Sequence, residues 1–140
     1  MIGRREPPGF SWLIENKLAG MALPYDAGRT ARQLERLGVG GVVSLTPRPF
    51  PNRFLEERGI DHLHLPVPNF EPPTQEQIRR FMEFCDSPTR RGRTVVVHGL
   101  AGKGRTGTML ACYLVVTWWL TGGGCCYMLL VAGGLLVACW

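Results

Sequence analysis

The segment that most constrains the fold lies between residues 94 and 115. Four β-favouring residues at 94–97 are followed by a glycine-rich stretch, and then by an apolar segment with a helical composition that begins near Thr106. A buried strand that leads into a glycine-rich turn at a helix start brings several backbone N–H groups to one point. The helix dipole adds to their attraction for an anion. The sequence therefore predicts a site for a tetrahedral anion at residues 98–106, where Arg105 would grip two of its oxygens.

Upstream of this segment, strand-like and helix-like patterns alternate. Apolar or alternating segments predict strands at residues 10–14, 42–45 and 60–67, with a further apolar segment at 18–23, and helical periodicity predicts helices at residues 30–37, 52–58 and 74–85. Thr74 and Gln77 have the spacing of a capping box, and Asn52 is a candidate cap for the short middle helix. This alternation predicts an α/β fold with a central, mostly parallel sheet flanked by helices.

Composition limits the class of protein. The chain has 140 residues, 45% of them hydrophobic and 19% charged, which indicates one globular domain rather than a disordered chain. A net charge of +5 favours an anionic partner. The five cysteines lack metal-ligand spacing, and residues 1–10 lack the pattern of a secretory signal. We therefore expect reduced thiols, no metal, and a cytoplasmic or nuclear location.

Two other phosphate-loop motifs fit the sequence less well. A Walker-type loop needs Ser or Thr directly after its Gly-Lys pair, but a glycine follows Lys103, and Val97 occupies the position of the earlier glycine. The glycine spacing of residues 102–107 matches a dinucleotide-binding fingerprint. That motif also needs an acidic residue about 20 positions later. No such residue exists, because Arg105 is the last Lys, Arg, His, Asp or Glu of the chain.

The loop resembles the motif His-Cys-x-x-Gly-x-x-Arg-Ser/Thr of the protein-tyrosine phosphatase superfamily. His98, Gly102, Arg105 and Thr106 match it in order. Several separated blocks are also similar to the small atypical dual-specificity phosphatases: residues 10–12, 18–20, 37–39, 43–46 and 105–115. The similarity extends from about residue 7 to residue 115, and the chain is identified on these blocks as a member of that group.

The resemblance implies a cysteine-phosphatase fold over residues 7–115 and a reaction without metal or cofactor. In that family the loop cysteine is the nucleophile, the arginine binds the phosphoryl oxygens, the Ser/Thr hydroxyl stabilises the thiolate, and a separate Asp protonates the leaving group. Carried over to this sequence, Arg105, Thr106 and His98 would fill the arginine, hydroxyl and loop-supporting roles. The implied phosphate-binding residues are Gly99, Leu100, Ala101, Gly102, Lys103, Gly104 and Arg105.

Two catalytic positions depart from the family pattern. Gly99 stands at the nucleophile position, so the covalent route is not available there. Asn69 stands at the acid position, within residues 68–73. Glu71 is a candidate substitute, although a residue two positions along a turn normally points in another direction. Loss of the acid alone costs roughly 10²–10⁴ in rate. Loss of the nucleophile removes the pathway.

We therefore expect a catalytically impaired or inactive family member, a pseudophosphatase, that binds phosphate or phosphoprotein and no nucleic acid. The alternative is a non-catalytic interaction module, either for phosphoproteins or anchored to a membrane. Phosphopeptide binding on the one hand and liposome flotation on the other distinguish the two hypotheses.

Residues 116–140 form an apolar tail in which the family resemblance stops. Three interpretations stay open. The tail could be a membrane anchor through residues 125–140, although 16 residues are fewer than the ~17–25 of a spanning helix. It could be a buried element that replaces family helices. It could also be an aberrant end that leaves the domain C-terminally truncated or altered, which we prefer because charge and periodicity stop at one point.

Overall fold

A five-stranded sheet forms the centre of the fold. The computed structural model describes residues 6–87, 92–100, 104–120, 127–130 and 135–138. The strands of this sheet are β1 (Ser11–Ile14), β2 (Leu18–Met21), β3 (Val39–Ser44), β4 (Asp61–His64) and β5 (Thr94–His98). Their order is β1-β2-β5-β3-β4, and only the pair of β1 and β2 is antiparallel. The mostly parallel sheet predicted from the sequence is confirmed.

Four helices cover the two faces of this sheet. They are α1 (Ala27–Arg36), α2 (Asn52–Glu56), α3 (Gln75–Asp86) and α4 (Gly104–Leu120). Because successive side chains of a strand point to opposite faces, Val96 of β5 belongs to the hydrophobic cluster of α1 and α2, whereas Val95 and Val97 belong to the cluster of α3 and α4. The helices contribute Ala31, Leu34 and Leu55 to the first cluster, and Phe81, Met109 and Tyr113 to the second.

Hydrogen bonds at the helix starts explain where these helices begin. The helix α1 begins at Ala27, three residues before the predicted start, because Oδ1 of Asp26 accepts a hydrogen bond from the Arg29 N–H at 3.0 Å. The predicted cap of α2 is wrong. Pro51 holds the cap position without a side-chain hydrogen bond, and the Asn52 amide instead donates to the Glu56 carboxylate.

The capping box of α3 is confirmed. Oγ1 of Thr74 accepts a hydrogen bond from the Gln77 N–H at 3.1 Å, and Oε1 of Gln77 accepts one from the Thr74 N–H at 2.9 Å. Reciprocal caps of this kind satisfy two N–H groups that the first helical turn cannot satisfy by itself. They also fix the end of the loop that connects β4 to α3.

The sheet brings four loops to one edge. Since β2, β5, β3 and β4 are parallel, the segments that follow them all begin at their carboxyl ends. In open α/β sheets, this edge is where ligands bind. Farther along the chain, β6 (Tyr127–Leu130) and β7 (Leu135–Ala138) form a separate antiparallel pair. Within the described ranges, no helix combines the length and the apolar character needed to cross a membrane.

Candidate active site

The predicted anion loop lies at the carboxyl edge, between β5 and α4. The strand ends at His98, and the helix begins at Gly104, two residues before the predicted start. Of the predicted phosphate-binding residues, Gly99, Leu100, Gly104 and Arg105 are described. Residues 101–103, which include the predicted ligands Ala101, Gly102 and Lys103, lie outside the described residues.

Gly99 and Thr106 face each other across the start of the loop. A Cβ atom added to Gly99 would lie 3.2 Å from Oγ1 of Thr106 and 3.8 Å from Cβ of Arg105. The Thr106 side chain is 1% exposed, and its hydroxyl has no hydrogen-bond partner in the described part of the chain. The structure thus brings a buried hydroxyl next to the position from which a nucleophilic side chain would project.

The backbone does not require glycine at position 99. The positive-φ glycines of the described segments are Gly9, Gly38, Gly59 and Gly92. Because Gly99 lies outside the left-handed region, an L-residue fits its backbone conformation without strain. Its Cβ would need Thr106 to shift by only a few tenths of an ångström. The missing side chain therefore changes the chemistry of the loop more than its conformation.

Arg105 connects the anion loop to the loop between β4 and α3. Its Nη1 donates a hydrogen bond to the carbonyl oxygen of Val67 at 3.0 Å, and the side chain is partly buried. A guanidinium has five N–H donors, so this contact leaves donors for two phosphate oxygens. The arrangement fixes the planar fork of Arg105 at the start of α4.

His98 is buried at the end of β5. Its Nδ1 lies 3.3 Å from the carbonyl oxygen of Gly99, its Nε2 lies 2.6 Å from Oγ of Ser44, and its ring packs edge-on against Phe50 with the ring centres 6.3 Å apart. Burial lowers the pKa of His98 to about 4. The imidazole is therefore neutral at physiological pH, and it contacts the backbone of the loop directly.

The acid position lies in an exposed turn. The Glu71 N–H donates to the carbonyl oxygen of Pro68 at 3.1 Å, and this bond closes a turn that contains Asn69 and Phe70. Phe70 is 87% exposed and has φ of 63°, a conformation that is uncommon for a bulky residue. Asn69 and Glu71 are both exposed. The contact between Arg105 and Val67 holds the base of this turn beside the anion loop.

Sequence reasoning missed the polar residues behind the loop. Oγ of Ser44 lies 2.8 Å from Nε2 of His62 and accepts a hydrogen bond from the Phe50 N–H at 3.1 Å. Nε2 of His64 donates to the carbonyl oxygen of Thr46 at 2.7 Å. The alternation in β4 placed both histidines opposite its apolar face. The contacts of His62 with β3 and of His64 with the segment after β3 depend on strand register, which a single sequence does not give.

A separate cavity of about 660 Å³ lies at the opposite, amino edge of the sheet. Lys17, Arg93 and Tyr113 are among the residues that line it, and none of the predicted site residues does. Across the described segments, no group of three or more His, Cys, Asp or Glu side chains is arranged to hold a metal ion.

A known family model matches most of the sequence. The model of the family described as "PTP-SAK: Swiss Army Knife protein, DSP-PTPase phosphatase domain" matches residues 7–119. This match covers most of the chain, so the protein belongs to this family within the protein-tyrosine phosphatase superfamily.

Curated relatives are similar at low identity. Human dual specificity protein phosphatase CDC14C is 23% identical over 124 residues, which cover 80% of this chain and 27% of that protein. Phosphatidylglycerophosphate phosphatase PTPMT2 of Arabidopsis thaliana is 30% identical over 113 residues, which cover 76% of this chain and 48% of that protein. The chain thus spans less than half the length of either relative.

Solved structures share the fold. The structure of Tk-PTP in its active form superposes with a TM-score of 0.64 at 26% identity, covering 79% of this chain and 74% of that one. Kinase associated phosphatase, with serine in place of its catalytic-site cysteine, superposes with a TM-score of 0.68 at 20% identity, covering 81% and 76%. These structures agree with the α/β architecture of this chain.

Proposed function

We propose that this protein binds a phosphomonoester in the loop of residues 98–106 without hydrolysing it by the covalent route of its family. The observation that carries the proposal is the pairing of Gly99 with Thr106. A buried hydroxyl lies 3.2 Å from the position where a Cβ would project, and glycine supplies no nucleophile there. The anion-binding features are kept, whereas the group that would attack phosphorus is absent.

The acid position supports the same proposal. An amide at Asn69 cannot give a proton to a leaving group as a carboxylic acid does. Glu71 lies in the same exposed turn two residues later, where its backbone N–H is held by Pro68. Loss of both the nucleophile and the acid removes the first chemical step of the family mechanism. We therefore describe the protein as a pseudophosphatase that needs no metal or cofactor.

The proposed ligand is a phosphoprotein, with inorganic phosphate as the minimal group that it recognises. Relatives of this chain are named dual specificity protein phosphatases and phosphatidylglycerophosphate phosphatases. We place the chain beside the small atypical enzyme dual-specificity protein phosphatase 23, because the separated sequence blocks between residues 10 and 115 are similar to it. The net charge of +5 is consistent with an anionic protein partner.

Titration with inorganic phosphate tests the proposal. Arg105→Ala removes the guanidinium at the start of α4, and we expect it to weaken phosphate binding at least about tenfold, because hydrogen bonds to charged groups are the strong ones. Arg48→Ala is the matched control, since Arg48 is an exposed arginine in the loop after β3 at the same sheet edge. It should leave the affinity nearly unchanged. Failure of the wild-type protein to bind phosphate would contradict the proposal.

A membrane-anchored interaction module is the second candidate. It is motivated by the 35 residues after Arg105, which contain no ionisable side chain of Lys, Arg, His, Asp or Glu. Flotation with phosphatidylcholine vesicles distinguishes the candidates. Flotation of the full chain, together with loss of flotation when residues 121–140 are deleted, would favour the membrane module.

A further inference from the structure

Three successive carbonyl groups at the end of β5 are held by hydrogen bonds. The carbonyl oxygen of His98 accepts from the Leu45 N–H at 2.9 Å, and that of Leu100 accepts from the Leu23 N–H at 3.1 Å. The carbonyl between them, that of Gly99, is instead held by a side chain, Nδ1 of His98. Among the described residues, the imidazole thus holds the one carbonyl of this run that accepts no backbone N–H.

The orientation of that peptide matters for anion binding. The C=O of Gly99 and the N–H of Leu100 belong to one planar trans peptide, so they point in opposite directions. When His98 holds the carbonyl, the Leu100 N–H of the same peptide faces away from the imidazole. Glycine at position 99 has more backbone freedom than any other residue. The hydrogen bond from His98 therefore contributes more to fixing the Gly99–Leu100 peptide than it would if position 99 carried a side chain.

The hydrogen bonds behind His98 form a directed chain. A carbonyl oxygen can only accept, so Nδ1 of His98 must carry the ring proton, and Nε2 of the neutral ring must accept. The Ser44 hydroxyl, 2.6 Å away, then donates its single proton to that Nε2. Having donated, Ser44 Oγ can only accept, and it does so from the Phe50 N–H and from Nε2 of His62. His62 must therefore carry its proton on Nε2.

We propose that His62 and Ser44 are positioning residues of the anion loop, which fix the tautomer of His98 and thereby the Gly99–Leu100 peptide. The inference rests on the proposed function of the loop in binding phosphate. If His62 loses its donor, one lone pair of the buried Ser44 hydroxyl is left without a partner, and the hydroxyl is free to turn away from His98. An unsatisfied buried group of this kind is unfavourable, so His98 would change its hydrogen bonds and release the Gly99 carbonyl.

Nitrogen NMR of the histidine rings tests the relay in the wild-type protein. The chain has three histidines, so each ring can be assigned by single substitution. We expect His98 with its proton on Nδ1 and His62 with its proton on Nε2. A proton on Nε2 of His98 would overturn the inference. This measurement needs no ligand, so its result stands even if the wild-type protein fails to bind phosphate and the proposed function is wrong.

Substitutions then test the positioning role, with inorganic phosphate as the probe. His62→Leu removes the donor, and we expect it to shift His98 to a mixture of tautomers and to weaken phosphate binding about threefold to tenfold. His62→Gln keeps an N–H donor and should restore both. His64→Leu removes a histidine that contacts Thr46 rather than Ser44, and it should change neither.

Equal phosphate affinity and an unchanged His98 tautomer in wild type, His62→Leu and His62→Gln would overturn the inference. Should His62→Leu fail to fold, the wild-type tautomers of His98 and His62 still test the inference. An unfolded Leu variant together with a wild-type His98 protonated on Nε2 would count against the relay.

Discussion

Gly99 is uncharged, whereas a cysteine in its place would be ionised in a loop that stabilises anions. Thiol pKa values fall at helix N-termini and beside cationic side chains, and Arg105 lies next to this position. A thiolate and a phosphate dianion a few ångströms apart repel each other. A single missing side chain thus removes the nucleophile and also a charge that opposes binding of the ground-state ligand.

This repulsion leads to a prediction about affinity. Gly99→Cys should bind inorganic phosphate about tenfold more weakly than Gly99→Ser at pH 8, because only the cysteine acquires a negative charge. The difference should shrink as the pH falls and the thiolate is protonated. Titration of both variants at pH 5.5 and pH 8 measures it. Equal affinities at both pH values would show that no thiolate forms beside the bound anion.

His98 leads to a prediction about stability against pH. Burial lowers its pKa from 6.5 to about 4 in the folded protein, so the unfolded chain binds this proton more readily than the folded one. The contribution of His98 to the free energy of unfolding should therefore be at its full value above about pH 6.5 and decline as the pH falls toward 4. This shift corresponds to a loss on the order of 3 kcal/mol. Burial and the neighbouring His64 also lower the pKa of His62, in the same direction.

Urea unfolding between pH 7.5 and pH 4.5 measures this loss. The matched variant is His98→Gln, which removes the titrating group and should reduce the pH dependence by most of that amount. If the variant and the wild-type protein lose stability equally over this interval, His98 does not have the depressed pKa that its burial implies.

Gly20 of β2 sets how closely α4 approaches the sheet. A Cβ on Gly20 would lie 3.0 Å from Cγ2 of Thr106 and 3.3 Å from Cδ1 of Leu110. Thr106 is in the first turn of α4, so any displacement of the helix moves the hydroxyl beside Gly99. The absence of a side chain at Gly20 therefore allows α4 to lie close enough to the sheet to place Thr106 beside Gly99.

We expect Gly20→Ala to reduce the free energy of unfolding by about 1–3 kcal/mol, because it overpacks a close contact. It should also weaken phosphate binding through displacement of Thr106. Gly107→Ala is the matched control, because a Cβ there meets nothing within 4 Å. Since alanine is the better helix former, the control should gain up to about 1 kcal/mol. Chemical denaturation of both variants gives the comparison, and a harmless Gly20→Ala would contradict this view of the α4 contact.

Local signals predicted some elements well and others poorly. Two features could be predicted from the sequence because their determinants lie within a few residues: the capping box of Thr74 and Gln77, and the valine run of β5. The start of β3 was missed because Gly40 resembles a strand boundary. In the structure, a Cβ on Gly40 would lie 2.8 Å from Cβ of Arg93, so the glycine makes room for a distant side chain. Such long-range packing is not visible in a local pattern.

The candidate site, like the secondary structure, was predictable only where its residues lie close together in the sequence. His98, Gly99, Arg105 and Thr106 follow from one contiguous motif. Ser44 and His62 belong to different strands, and they meet only because β3 pairs with both β4 and β5. Ser44 is the register partner of His98 although 54 positions separate them. The network behind the loop therefore required the tertiary structure.

Among the residues whose side chains are described, the two hydrophobic clusters extend along the chain to Tyr113, just before the apolar tail of residues 116–140. We propose on this basis that residues 7–115 form the phosphatase-like domain, and that α4 continues beyond its end to Leu120. The tail interpretations then differ in a measurable way, because only a buried replacement element would be needed for folding.

Deletion of residues 121–140 should leave both clusters and phosphate binding intact. Deletion from residue 109 onward is the contrasting variant, since it removes Met109 and Tyr113 from the core and should prevent folding. Circular dichroism and phosphate titration of the two truncated chains give the result. If the shorter deletion also abolished folding, the tail would be part of the core, as one of the three interpretations holds.

Hydrolysis of p-nitrophenyl phosphate tests whether the protein is a pseudophosphatase. The wild-type protein should show no turnover above background, and Asn69→Asp alone should not restore any, because an acid cannot act without a nucleophile. Gly99→Cys together with Asn69→Asp should produce turnover, since the backbone at position 99 accepts a side chain and Thr106 lies 3.2 Å from its Cβ. Wild-type turnover comparable to that of active family members would contradict the proposal that the protein is a pseudophosphatase.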